Sequence, residues 1–399
     1  MPRTLFDEDT LFAEARAATG LEDFGPEYFR VGLRVLNTAL AEEAQLKPDA
    51  IGKAHFLIME QLTKRLRMQD WFNRYPEIEQ QKIEAPIFIL GSPRSGSSIM
   101  HELLSLDPAN RAPAAWEVWS PTPPPETATY RTDPRIAERQ AFFDAIYAAL
   151  PELRSMHRMG ATLPSECVEM TSLEFASVVF FVEFYIPGYS RWLYDEADFS
   201  QVFASHKRFL QLLQWRAPGA PWVLKSLYNM HYMDAFVAAY PDARIIWLHR
   251  DPLKALASGA HMASVMTRSA SDTVDPRLSG HDAAHWSVVQ HGRMVDVQER
   301  KMIPPERLIN VQFSEFVRDH AGTVKRIYAH FGRQLSAEAE RAMRSYLQEH
   351  TADQHGRHKY SLADIGLDEA EYRNKLARYQ DYFQVPNEGA ARVAEREVE

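Results

Sequence analysis

Ile87-Phe88-Ile89-Leu90-Gly91-Ser92-Pro93-Arg94-Ser95-Gly96-Ser97-Ser98 is the stretch whose reading decides the fold. Ile87 to Leu90 is an unbroken apolar run of strand length, the pattern of a strand buried on both faces. A Gly/Ser-rich turn follows, and from Ser97 to Leu106 the apolar residues take helical spacing. Strand, turn and helix in that order aim successive backbone N–H groups and a helix N-terminus at one point, which captures a phosphate. Gly91 to Ser98 has the glycine spacing of a Walker A loop. Ser97, however, stands where that loop carries lysine, and the basic residue is Arg94, whose guanidinium offers a fork of donors to the same oxygens. Taken alone, such a turn is equally an ordinary strand-to-helix connection, so its surroundings decide.

Short apolar runs recur at Trp222-Val223-Leu224, at Arg244-Ile245-Ile246-Trp247-Leu248 and at Leu308-Ile309-Asn310-Val311-Gln312-Phe313. Helix-compatible segments follow each, at 230–239, 253–266 and 314–331. Strands alternating with helices predict an α/β fold of P-loop type, with a central parallel sheet flanked by helices on both faces. From Thr4 to about Arg74 the apolar residues keep helical spacing, as in Phe29, Leu33, Leu36 and Leu40. The expected organisation is a helical N-terminal segment over 1–84 packed on the core, a main domain over 85–386, and an Ala-, Glu- and Arg-rich tail over 387–399 that frays or forms a solvated helix. Between the first two strands, a mostly helical insertion over about 110–216 contains the proline tract Pro121-Thr122-Pro123-Pro124-Pro125. Insertions at the carboxyl end of a sheet are where substrate pockets are built.

The 399 residues, 45% hydrophobic and 25% charged, suit a packed enzyme-sized fold. A formal net charge of -9 argues against a broad basic face for nucleic acid or anionic lipid, so an anionic ligand needs a local basic pocket. Cys167, the single cysteine, can form neither an internal disulfide nor a cysteine-based zinc site, which fits a reducing compartment. The N-terminus turns acidic at Asp7 and lacks the apolar centre of a secretory signal. The longest apolar stretch, Phe175 to Val182, ends at Glu183 and is too short to span a bilayer. A cytoplasmic protein without membrane insertion is expected, and a homo-oligomer stays open.

The wider string PIFILGSPRSGSSIMHELLSLDP, Pro86 to Pro108, resembles the 5′-phosphosulfate loop of the sulfotransferases that use 3′-phosphoadenosine-5′-phosphosulfate (PAPS). The likeness is to the bacterial branch, in which Arg replaces the Lys of the animal cytosolic enzymes; Ser98 stands where the family usually has Thr. The resemblance implies that Ser92, Pro93, Arg94, Ser95, Gly96, Ser97 and Ser98 hold the donor's 5′ end. Arg244 to Pro252, with Ser258 beyond, is similar to the family's 3′-phosphate site, which implies Arg250 and Ser258 as its ligands. Arg suits that role because it bonds phosphate bidentately; the structural alternative is an Arg250–Asp251 surface pair. His355 to Leu362 resembles the bacterial GxHxYSL segment and implies that His358, Lys359 and Tyr360 fold over the donor as a lid, the alternative being a basic exposed loop. The resemblance runs from Thr19–Gly25 to Phe383.

Sulfonate transfer to a hydroxyl needs in-line placement, charge compensation and a base for the proton, as phosphoryl transfer does. The resemblance points to the segment around Pro164-Ser165-Glu166-Cys167 as lining the acceptor site, with Glu166 as base and His157 as its helper or substitute. Lys225, at a strand end, has an ammonium able to neutralise charge on the moving group. Where the family commonly reads K-S-P-x-H, this chain has Lys225-Ser226-Leu227-Tyr228-Asn229, which leaves the role of that His without an owner; His231 is two residues late. Trp116, Trp119, Phe175, Phe180, Phe181, Phe184, Tyr185, Tyr189 and Trp192 make either a greasy wall for a hydrophobic alcohol or phenol, or simply core. No metal is called for: His101-Glu102 lacks the second His of a zincin helix, and His281 with His285 lacks a third ligand. PAPS is the expected cofactor, 3′,5′-ADP the product and a small hydroxyl compound the acceptor. A kinase using Mg-ATP and a non-catalytic nucleotide-binding module are the rival readings.

Overall fold

The computed structural model describes residues 6–151, 153–156, 158–219, 221–350 and 362–388. Four parallel strands, β1 (Ile87–Gly91), β2 (Val223–Lys225), β3 (Arg244–His249) and β4 (Leu308–Gln312), lie side by side in the order β2-β1-β3-β4. Ile87 pairs with Val223 on one side and Arg244 on the other, and Ile89 with Lys225 and Ile246. Alternate strand residues point to opposite faces, and here each face has its own core. Phe88, Leu90, Leu224, Ile245 and Trp247 join the larger apolar cluster. Ile87, Ile89, Val223, Ile246, Leu248 and Val311 join a second one under the Ser97–Ser105 and His320–His330 helices. Helices thus cover both faces, as the run pattern predicts.

The N-terminal helices Glu8–Thr19, Phe29–Glu42 and Pro48–Arg74 contribute Leu11, Leu33, Leu36, Leu62 and Leu66 to the same cluster as Phe88 and Leu90. Arg65 fixes their place: its buried guanidinium meets Glu174 at 2.6 Å and the carbonyls of Phe24 and Leu173 at 2.7 and 3.2 Å. Because all these groups are out of water, removing either partner would strand a buried charge. Trp222, read as a strand residue, instead pairs with Arg111 in an isolated bridge, and β2 extends to Lys225.

From β1 the chain goes to β2 on one side, then crosses to β3 on the other. Loops leaving the carboxyl ends of β1 and β3 therefore diverge and leave a crevice, the usual ligand position in such sheets. Among the described residues no helix is long and apolar enough to cross a membrane.

Candidate active site

The turn after β1 is held in a shape that only certain residues tolerate. Gly91 has φ 145°, and a Cβ there would meet the Leu248 carbonyl oxygen at 2.6 Å. Gly96 has φ 88° at the N-cap of the Ser97–Ser105 helix, where a Cβ would press on Phe313 at 3.2 Å. Arg94 also sits at positive φ, 67°, with its side chain exposed. The Ser92 and Ser95 hydroxyls are buried without a hydrogen-bond partner. A buried polar group left unpaired is costly unless something else satisfies it. Two such hydroxyls beside the N-terminus of a nine-residue helix fit an anionic phosphate.

Arg250 leaves the end of β3 and closes over this turn. Its Nη1 donates to the Arg94 carbonyl at 2.6 Å, and its guanidinium lies 4.0 Å from the Phe313 ring centroid. Nε and Nη2 donate to the two carboxylate oxygens of Glu388, at 2.6 and 2.9 Å. Asp251 does not form the surface pair with Arg250 that the sequence allows. It is buried, caps the Pro252–Ala270 helix through Leu253 N–H at 3.1 Å, and accepts from Arg373 at 2.7 and 3.3 Å and from the Glu388 N–H at 3.0 Å. Ser258 lies partly exposed on that same helix. Behind Arg250, His249 bonds Asn310 at 2.8 Å and Tyr379 at 3.1 Å, tying the Ala377–Phe383 helix to the sheet. Burial pushes its pKa down to about 4.

Lys225 ends β2 with its ammonium buried between two oxygens. It donates to Ser98 Oγ at 2.9 Å and to Glu166 Oε1 at 2.6 Å. Glu166 reaches this position because Glu166 and Lys225 pair as an isolated parallel bridge, beyond which the Cys167–Thr171 helix begins. One ammonium therefore joins the turn after β1 to the helical insertion. Tyr228 stands near Glu166; burial first, and the carboxylate's charge second, push its hydroxyl pKa up. Ser226 Oγ donates to Asn229 Oδ1 at 2.5 Å, Asn229 being the residue that stands where the family's segment has His. His231 is elsewhere, with Nδ1 held by Arg293 at 2.8 Å and its ring 4.2 Å from that of Tyr194.

Most of the suspected aromatic wall is core. Trp116, Phe180, Tyr189 and Trp192, on helices, and Phe175 and Phe184, on the turns between them, are all buried. Trp119, Phe181 and Tyr185 alone of that set remain partly exposed. His101 is buried against the Val223 carbonyl at 3.0 Å, with its pKa lowered to about 3 by burial and then by the Lys225 charge. His281 bonds the Ile365 carbonyl at 2.9 Å. Among the described residues no group of three or more His, Cys, Asp or Glu is placed to hold a metal ion. His157, His358, Lys359 and Tyr360 lie outside the described residues. Phe313 and Glu388 are not singled out by the sequence, although the place of Phe313 just past a strand tip is a signal; Asn229 stands out there only as a departure from the family's His.

Residues 86–338 match the model of the sulfotransferase family. The chain is 23% identical over 261 residues to the omega-hydroxy-beta-dihydromenaquinone-9 sulfotransferase Stf3 of Mycobacterium bovis and of Mycobacterium tuberculosis. That match covers 62% of this chain and 63% of those relatives, so the chain spans a little under two thirds of their length. Two crystal structures are similar over nearly their whole length. Sulfotransferase STF1 from Mycobacterium tuberculosis is 30% identical with a TM-score of 0.82, covering 93% of this chain and 98% of its own. Sulfotransferase STF9 from Mycobacterium avium is 30% identical with a TM-score of 0.86, covering 96% and 97%.

Proposed function

The chain belongs to the sulfotransferase family, and from that premise we propose that it is an enzyme moving a sulfonate group from PAPS to a hydroxyl of a hydrophobic small alcohol or phenol. The observation that carries this reading is the Ser98–Lys225–Glu166 contact, which puts a cation between a phosphate-type turn and a carboxylate on the acceptor side. Ser92, Ser95, Ser97, Ser98 and the loop's backbone N–H groups would hold the 5′ end, with Arg94 beside them. Arg250 would hold the 3′-phosphate. The donor, when bound, supplies an electrophilic sulfur with a phosphate leaving group.

Glu166 is the base in this reading. Its carboxylate, held 2.6 Å from the Lys225 ammonium, is the group that takes the acceptor's proton. As that proton arrives, Glu166 loses its charge and releases the ammonium to face negative charge developing on the donor side, where Ser98 already accepts from it. Tyr228, beside Glu166, gives the acceptor side a partly exposed aromatic surface, which supports an apolar acceptor. The kinase reading loses its magnesium ligand, because both Asp251 oxygens already accept protein donors.

Calorimetry and product analysis test this together. We expect tight, magnesium-independent binding of 3′,5′-ADP, and sulfonated products by mass spectrometry from PAPS with a panel of alcohols and phenols. Glu166→Gln should keep nucleotide binding and lose about 100- to 10,000-fold in turnover. Selective binding of Mg-ATP, or near-normal turnover in that variant, would sink the reading or remove Glu166 from it.

A further inference from the structure

We propose that Glu388 is an internal ligand of the donor site, gripping Arg250 in the free protein and yielding it to the 3′-phosphate of the bound nucleotide; this rests on the reading of Arg250 given above. The geometry imitates what Arg250 would do with phosphate. Two carboxylate oxygens meet Nε and Nη2 at 2.6 and 2.9 Å, the parallel fork by which guanidinium recognises either anion. Nη1 is occupied on the other side by the Arg94 carbonyl at 2.6 Å, and one face of the guanidinium is stacked on Phe313. A phosphate seeking the bidentate edge therefore finds Glu388 already there.

The segment carrying Glu388 is built to deliver it. Past the Ala377–Phe383 helix, Gln384 turns the chain at φ 53°. Gln380 then bonds Asn387 Oδ1 at 2.7 Å, and the Glu388 N–H is anchored on buried Asp251 at 3.0 Å. These anchors hold the backbone and not the carboxylate, so the side chain can leave the guanidinium while its segment stays attached. The exchange has a direction. A carboxylate brings one negative charge and a phosphate monoester about 1.5 to 2 at neutral pH, so the nucleotide wins the clamp at the cost of some affinity. In its absence Glu388 keeps Arg250, only 19% exposed, from being an unpaired cation beside the turn.

Calorimetry on the full chain tests this, with 3′,5′-ADP and with 5′-AMP, which lacks the phosphate that would compete. Glu388→Gln and Glu388→Ala should both tighten 3′,5′-ADP by about fivefold, equivalent to about 1 kcal/mol, and leave 5′-AMP unchanged. In an Arg250→Ala background the gain should vanish. If both Glu388 variants bind 3′,5′-ADP as the wild type does, or more weakly, Glu388 merely orients Arg250 and the proposal fails while the donor reading stands. If the wild type does not bind 3′,5′-ADP, or Arg250→Ala binds it undiminished, the donor reading itself fails and this proposal with it.

Discussion

Cutting the Lys225–Glu166 contact from both ends gives the sharpest test of how the sheet and the insertion are coupled. Lys225→Met keeps the side chain's length and removes its charge; Glu166→Gln keeps the shape and removes the other. Breaking a fully buried ion pair on one side costs about 3–5 kcal/mol, whereas an exposed pair contributes about 0–1 kcal/mol. Lys225 is 4% exposed and Glu166 20%, so the pair lies nearer the buried limit. We expect Lys225→Met to cost about 2 kcal/mol, less than a sealed pair because Glu166 can partly rehydrate. Combining the two changes should cost less than their sum by about 1–2 kcal/mol, since the second removes the charge that the first left unpaired. Urea denaturation of the four proteins measures this coupling. Additivity within about 0.3 kcal/mol, the scatter expected of independent sites, would mean that the contact carries no energy. Turnover of Lys225→Met should fall by about 100-fold or more if the ammonium also meets developing charge.

Further outcomes follow from other parts of the molecule. Arg250→Ala should weaken 3′,5′-ADP by about 1.5–3 kcal/mol, the range for a charge-assisted bond, and spare 5′-AMP, as calorimetry would show. In thermal melts Gly91→Ala should cost more than about 2 kcal/mol because its Cβ meets a backbone oxygen at positive φ. Gly52→Ala, in the open on the Pro48–Arg74 helix, should instead stabilise by about 0.5–1 kcal/mol in the same thermal melts. His101 and His206 have pKa values lowered to about 3, and His249 and His291 to about 4, chiefly by burial. Each is neutral in the fold, so between pH 6.5 and 4 the unfolded chain binds protons that the folded one refuses. Stability should therefore fall on acidification through that window, by up to about 1.4 kcal/mol per pH unit for each histidine. Urea midpoints that stay flat from pH 7 to pH 5 would contradict it.

What could be read ahead of the structure was whatever local chemistry dictates. The strand-turn-helix at Ile87 to Ser105 was legible because apolar period, glycine placement and helix start all lie within one short stretch. The two-sided burial of the sheet followed from unbroken apolar runs. Contacts between distant residues were not legible. Glu166 and Lys225 could each be named as candidates, but their pairing depends on a bridge between the insertion and β2. Aromatic composition could not separate a pocket wall from core, because Phe175, Phe180 and Tyr189 differ from Phe181 and Tyr185 only in which way the backbone turns them. Glu388 had no signal whatever. A lone carboxylate at the start of an Ala/Glu/Arg-rich tail has no period and no motif, and it gains meaning only when the C-terminal helix brings it to Arg250.

The two halves of the site differ in how firmly they are held, and this bears on which of them can change. The phosphate-type turn is bounded by β1, by Leu248 of β3 and by Phe313 just past β4, so three adjacent strands share in setting its shape. A substitution there must be accommodated by backbone, as at Gly91. Glu166 comes instead from the insertion, which meets the edge strand β2 at its two ends, through Arg111, whose carbonyl accepts from the Val223 N–H at 2.8 Å, and through the isolated bridge at Lys225. Helices around it can shift or exchange side chains without altering strand pairing, because among the described residues no other strand lies beyond that edge. On the proposed reading, a rigid turn joined to an adjustable insertion suits an enzyme that keeps one donor while its acceptor pocket varies. Lys225 is the residue on which both requirements fall: it is fixed by the sheet and bonded to both sides, so moving it would disturb the turn and the carboxylate together.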